Sequence, residues 1–130
     1  MKENPVKILI VDDDEGNNNV LRLTLTDDYR VLLARDSHEA LEILSDKKEH
    51  HDIRAIITDQ RMPGMSGMEL LKRSVKTHPH TLRIIVTGYP DLDALNKELD
   101  TIGIHKIFYK PLTDQKIEEL RHFLQESIGK

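Results

Sequence analysis

The sequence contains no cysteine, so disulfides and thiolate metal sites are ruled out, and a reducing cytoplasm is the simplest compartment. No apolar run approaches the roughly 20 residues needed to span a bilayer. Met1-Lys2-Glu3-Asn4-Pro5 lacks the apolar core of a signal peptide. Neither a membrane association nor a leader is therefore expected. Positive charge is in deficit, with 19 Lys and Arg against 23 Asp and Glu and a net charge of −4. That balance argues against direct binding to nucleic acid, although charge alone leaves room for a small basic patch. There is no internal sequence repeat, low-complexity segment or linker. The 130 residues, 38% hydrophobic and 32% charged, predict one soluble domain over residues 1–130. A chain of this length can bury roughly two thirds of its unfolded surface.

What is present is an alternation of five apolar runs with five helical patterns. Val6 to Val11 is a β-branched run of the kind found in strands buried on both faces. Helix 1 is expected from Glu15 to Thr26, with Val20, Leu21, Thr24 and Leu25 inward. Strand 2 is expected from Tyr29 to Ala34. Helix 2 follows Asp36 as its cap, with Glu39 in capping-box position and Ala40, Leu41 and Leu44 inward. The polar segment Asp46 to His51 reads as a surface connection, and Ile53 to Thr58 as strand 3. Helix 3 begins after Ser66, with Glu69 completing a second capping box and Met68, Leu71 and Val75 repeating at helical spacing. Leu82 to Val86 is strand 4. Pro90-Asp91 opens helix 4, with Leu92, Leu95, Leu99 and Ile102 inward and Gly103 as its stop. Ile104 to Tyr109 is strand 5. Thr113 caps helix 5, whose inner stripe is Ile117, Leu120, Leu124 and Ile128. Strands alternating with helices imply an α/β fold with a parallel sheet covered on both faces. Right-handed crossovers favour a doubly wound five-stranded sheet of order 2-1-3-4-5, a flavodoxin-like (β/α)5 fold.

In such sheets ligands bind beyond the carboxyl ends of the strands, where the winding reverses. Here that point lies between strand 1, ending at Asp12-Asp13-Asp14, and strand 3, ending at Asp59 on a loop punctuated by Pro63, Gly64 and Gly67. Two unit charges about 4 Å apart repel by roughly 4 kcal/mol at an effective dielectric of 20, so such a cluster asks for a cation. Magnesium suits an all-oxygen donor set, with manganese as the substitute. Asp12-Asp13 alone reads equally well as the acid-rich start of a helix, and Asp59 at the neighbouring strand end tips the reading toward a metal. Strand 4 ends in Val86-Thr87-Gly88 and strand 5 in Tyr109-Lys110-Pro111. A hydroxyl and an ammonium thus reach the same rim. Asp59 is expected to accept a phosphoryl group, a reaction that needs positioning and charge stabilisation more than covalent help.

Ile8-Leu9-Ile10-Val11-Asp12-Asp13-Asp14, Thr58 through Gly67, Val86-Thr87-Gly88-Tyr89 and Tyr109-Lys110-Pro111 together resemble the receiver domain of two-component response regulators. The resemblance runs through the whole chain, in order. It implies that a sensor histidine kinase or a phosphotransfer protein donates a phosphoryl group to Asp59 from a phosphohistidine. It further implies that Asp12, Asp13, Asp59 and the backbone carbonyl of Arg61 hold the metal, that Lys110 pairs with the phosphoryl group, and that Thr87 moves toward it. A cis bond before Pro111 is implied as well. The only chemistry expected is self-phosphorylation and self-dephosphorylation, without turnover of an external substrate. Readout would run through the face of helix 4, strand 5 and helix 5 to a downstream output domain or protein, or into a phosphorylation-dependent homodimer. No output domain is expected in this chain. Two positions depart from or tune the pattern. Ile107 stands where an aromatic switch residue is common, with Phe108 expected on the opposite face. Arg61 and Tyr89 are large residues at lifetime-setting positions, expected to restrict the hydrolytic water.

The rival readings are a phosphorylation-independent interaction module, a phosphatase with an aspartyl intermediate, and a flavin-binding relative. The short loops leave little room for a substrate pocket, and the acidic first loop does not suit a flavin phosphate. The histidines number seven. His38, His50, His51, His78, His80 and His122 are read as surface residues, since neighbouring pairs such as His50-His51 do not readily converge on one ion.

Overall fold

The computed structural model describes residues 6–88, 97 and 99–128. Its sheet has five parallel strands in the order β2-β1-β3-β4-β5, as the alternation requires. The strands are β1 (Lys7–Val11), β2 (Arg30–Ala34), β3 (Ile53–Asp59), β4 (Leu82–Thr87) and β5 (Lys106–Tyr109). The described helices are α1 (Glu15–Leu25), α2 (Ser37–Ser45), α3 (Gly67–Thr77) and a C-terminal helix (Asp114–Ile128).

All five residues of β1 are buried, which explains its unbroken apolar run. Ile8 and Ile10 face Leu21, Leu25, Leu120 and Leu124, whereas Leu9 and Val11 face Ala40, Leu44, Leu70 and Leu71. Period-two alternation therefore sends successive side chains into two separate apolar layers. Burial of each such side chain is worth roughly 1.5–3 kcal/mol, so the central strands are held from both sides. Their carboxyl ends, where the chemistry-bearing residues stand, inherit that rigidity.

Several local expectations are refined. Leu21 and Leu25 are buried as expected, but Val20 is 47% exposed, because the inward arc of α1 is narrower than the sequence stripe. Asp36 caps α2 by accepting from the Glu39 N–H at 2.8 Å, while Glu39 Oε1 accepts from the Arg35 N–H, one residue before the position a capping box uses. Ser66 accepts from the Glu69 N–H at 3.2 Å, but the Glu69 carboxylate takes Arg73 Nε at 3.2 Å instead of turning back. Thr113 caps the C-terminal helix, its Oγ1 accepting from the Lys116 N–H at 3.2 Å.

The fifth strand starts two residues later than its apolar run. The Arg83 N–H donates to His105 Nδ1 at 2.9 Å, so an imidazole takes the place of a ladder carbonyl there. Arg83 itself is buried and donates through Nε to the Gly103 carbonyl and through Nη1 to that of Thr81, both at 3.0 Å. Helix 4 as expected from Pro90, with Leu92 and Leu95, lies outside the described residues. The described part is a π-helical turn, Leu99–Gly103, which ends on Gly103 at φ +79° and buries Ile102. The Lys110–Pro111 bond is cis.

Gly67, the first residue of α3, packs directly on the end of β3: a Cβ there would overlap the Asp59 carbonyl oxygen. Replacement by alanine is an overpacking change against backbone, and Gly67→Ala is expected to lower the unfolding free energy by about 1–3 kcal/mol in urea denaturation. Gly88→Ala serves as the control. Its Cβ would make only ordinary contacts, 3.8 Å from the Lys110 side chain, so a change within about 0.5 kcal/mol is expected. Equal losses in the two variants would show that helix-start packing is not the cause.

Candidate functional site

The strand register brings the expected residues to one edge. Val11 is paired with Thr58, which sets Asp12 beside Asp59. Asp59 is paired with Val86, and Thr87 with Tyr109. The Lys110 N–H donates to the Thr87 carbonyl at 2.8 Å. Oxygens of Asp12, Asp13 and Asp59 lie within 4.8 Å of one another. Lys110 Nζ reaches between two of these carboxylates, 3.2 Å from Asp59 Oδ2 and 3.3 Å from Asp12 Oδ2. Asp12 and Asp59 are buried and Asp13 is exposed, so the cluster opens to solvent on one side. Asp14 serves the helix instead, accepting from the Gly16 N–H at 2.8 Å.

Burial pushes the Asp59 carboxyl above the ordinary aspartate range. Lys110 opposes this, Asp12 adds to it, and the Gln60 N–H opposes it again. For Lys110, burial alone would lower the ammonium, but Asp12 and Asp59 reverse that and hold it above the ordinary lysine value. One ammonium thus faces three carboxylates, leaving excess negative charge in a partly dry cleft. The donor set is all oxygen with one exposed member, which fits a hard divalent cation. Asp12, Asp13 and Asp59 could hold such an ion.

The loop after Asp59 is held by contacts that the sequence did not announce. The Gln60 carbonyl accepts from the Gly67 N–H at 3.0 Å, and Gln60 Oε1 accepts from the Met68 N–H at 2.8 Å. With Ser66 accepting from Glu69, three donors that a helix start ordinarily leaves orphaned are satisfied. Ser37 Oγ, at the start of α2, donates to the Met65 carbonyl at 3.0 Å. An acceptor eight positions from its donor has no periodic signature, so Gln60 read only as a loop residue.

Thr87 stands at the carboxyl end of β4 with no exposed surface. Arg61 is exposed on the loop, and Tyr89 lies outside the described residues. An open depression of about 450 Å³ beside Lys110 is lined by Val20, Lys110, Pro111 and Leu112. Alternation holds at the fifth strand: Ile107 packs on one apolar layer and Phe108 in the other. Tyr109 shares the Ile107 side. His38 and His122 are exposed, as expected. His50 and His78, however, are half-buried and in ring contact with each other, because the turn before β4 packs under the connection before β3.

The raised Asp59 pKa has a stability consequence. A folded-state pKa above the unfolded value contributes stability below the unfolded pKa, lost as pH rises through the folded one. In metal-free buffer at pH 7, Asp59→Asn is therefore expected to raise the melting temperature. The gain should shrink as pH falls to about 4 or below, where the unfolded-state carboxyl also protonates. A gain independent of pH, or a loss at pH 7, in melting curves across that range would rule out burial of the charge as the cause.

Comparison with known proteins agrees with this geometry. A family model for the response regulator receiver domain matches residues 8–122. Sporulation initiation phosphotransferase F of Bacillus subtilis is 34% identical over 123 residues, covering 94% of this chain and 93% of that protein. The hydrogenase transcriptional regulatory protein HoxA of Cupriavidus necator is 31% identical over 126 residues. There the match covers 96% of this chain but only 25% of the regulator, so the chain spans about a quarter of that relative's length. Among solved structures, a response regulator receiver domain protein from Clostridium thermocellum superposes with a TM-score of 0.82 at 32% identity, covering 95% of this chain and 94% of that one. A signal receiver domain of an HD domain-containing protein from Pseudomonas fluorescens gives 0.81 at 30% identity, covering 99% and 93%. With the family model covering most of its length and a sheet edge that carries the same acidic cluster and lysine its sequence motifs announced, the chain belongs to the response regulator receiver domain family.

Proposed function

We propose that Asp59 is the phosphoacceptor of this receiver domain. The observation that carries the reading is the placement of the Lys110 ammonium between Asp59 and Asp12, with Asp13 completing the acidic cluster. One Asp59 oxygen attacks the phosphorus of a phosphohistidine on a histidine kinase or phosphotransfer protein. The P–N bond breaks, the imidazole leaves as its neutral form after taking a proton, and an acyl phosphate remains. Hydrolysis later returns the carboxylate and inorganic phosphate. Lys110 neutralises charge on the phosphoryl oxygens, and the Thr87 hydroxyl donates to one of them. Asp12, Asp13, Asp59 and the Arg61 backbone carbonyl hold Mg2+, or Mn2+ in its place. Bound there, the cation offsets the charge of the carboxylates and the incoming phosphoryl group.

The chemistry is self-directed, in keeping with a signalling domain. Its product is a changed surface, formed by the segment before β5, β5 itself and the C-terminal helix, for an output domain, a protein partner or a second copy of the chain. Ligand-like bias toward one of two states is the physical content of such a switch. No contact with nucleic acid or membrane is proposed for the domain. Val20, at the edge of the depression beside Lys110, offers apolar area to the phosphodonor.

Incubation with Mg2+ and acetyl phosphate is expected to add one phosphoryl group, detected by intact mass and lost in Asp59→Asn. A wild-type chain that stays unlabelled where other receivers are labelled would sink the assignment. Arg61 and Tyr89 are proposed to limit access of water to the acyl phosphate. In the Arg61→Ala, Tyr89→Ala double variant the label should decay faster by on the order of tenfold, equivalent to about 1.4 kcal/mol of barrier. An unchanged decay rate removes them from that role.

A further inference from the structure

The edge of the sheet opposite Asp59 carries a second cluster of metal-ligating side chains, formed by two loops distant in sequence. His50 and His51 stand in the connection between α2 and β3, and His78 is the C-cap of α3. The His50 and His51 rings are 3.8 Å apart between centres, and those of His50 and His78 are 6.0 Å apart at 80°. We propose that His50, His51 and His78 form a binding site for a borderline transition-metal cation, Zn2+ foremost, separate from the acidic cluster.

The scaffold beneath the rings is fixed. Asp46 Oδ1 accepts from the Lys48 and Glu49 N–H groups at 2.8 and 3.0 Å. Lys7 Nζ, rising from β1, donates to the Glu49 carbonyl at 3.1 Å and pairs with Glu49 Oε1 at 3.3 Å. Thr81 Oγ1 donates to the Ile53 carbonyl at 2.7 Å, joining the two loops just past the histidines. With Zn–N bonds of about 2.0–2.1 Å, two imidazoles on one tetrahedral ion have ring centres roughly 5 Å apart. The observed separations bracket that value. Fanning His51 away from His50 and drawing His78 inward brings the three rings onto one ion by side-chain rotation alone.

His78 has one nitrogen ready for the role. Its Nδ1 lies 2.8 Å from Thr77 Oγ1, the kind of outer partner that orients a ligating histidine. Its Nε2 is held only by a long contact, 3.3 Å, to the His50 carbonyl. Imidazole suits Zn2+, Ni2+ and Cu2+, whereas carboxylates and carbonyls suit Mg2+. The two ends of the sheet thus select different cations. A metal at the histidine end ties the connection before β3 to the end of α3, and so stabilises both against opening.

The test is a calorimetric titration of the full chain with Zn2+ in excess Mg2+, followed by imidazole nitrogen chemical shifts. One equivalent should bind with micromolar affinity, shift the nitrogens of His50, His51 and His78, and raise the melting temperature. His78→Gln and His50→Gln should each weaken binding at least tenfold, whereas His38→Gln and His122→Gln should leave it unchanged. Absence of binding, full competition by Mg2+, or affinity indifferent to His50→Gln and His78→Gln would each overturn the proposal. Retained melting behaviour of the metal-free variants separates a lost ligand from a lost fold.

Discussion

The Lys110 ammonium between Asp59 and Asp12 is the contact on which the rest of the site depends. Two buried carboxylates beside each other are an electrostatic conflict in a partly desolvated cleft. A single ammonium 3.2 and 3.3 Å from them relieves it only in part, since Asp13 adds a third carboxylate. The raised Asp59 pKa is the sign of what is left over. The imbalance disposes the cluster to take up a further cation and, with that cation, an anionic phosphoryl group. The fold tolerates the strain because the strands bearing these residues are anchored below by apolar layers on both faces.

Rigidity of the strand is not enough, because the reacting group sits at its last residue. The loop that follows is fixed by Gln60, whose carbonyl and side-chain oxygen hold the first two N–H groups of α3. Gly67 lets that helix start lie against the Asp59 carbonyl. Ser37 ties the loop to α2 through the Met65 carbonyl. The Gln60 N–H is also turned to the Asp59 carboxylate. A change at that carboxylate is therefore one hydrogen bond away from the start of α3.

Features governed by neighbouring residues were legible in the sequence. Apolar runs marked the described strands, right-handed winding ordered them, and the order then predicted which acids meet. Asp12, Asp13, Asp59 and Lys110 converge as that reasoning required. Features governed by distant contacts were not legible. The late start of β5 depends on an imidazole substituting for a ladder carbonyl, which no local pattern encodes. The Gln60 amide and the pairing of His50 with His78 depend on loops that meet only after folding. The two capping-box patterns were half right, because Glu39 and Glu69 found other partners at slight cost in geometry.

The same accounting bears on how a signal would leave the site. Ile107 occupies the position where an aromatic was expected, but strand alternation puts Tyr109 on the same side. Tyr109 is also the register partner of Thr87, and the residue after it donates its N–H to the Thr87 carbonyl. A displacement of Thr87 would therefore meet Tyr109 and Lys110 before it could act on Ile107. At its other end, β5 is fastened by Arg83, whose buried guanidinium holds the Gly103 carbonyl and whose backbone is bonded to His105 in both directions. Movement is thereby confined to the carboxyl half of the strand, where the aromatic side chain on the switch side is Tyr109. An aromatic there, two places beyond the usual one, lies closer to the reacting edge and needs a smaller displacement of Thr87 to be felt.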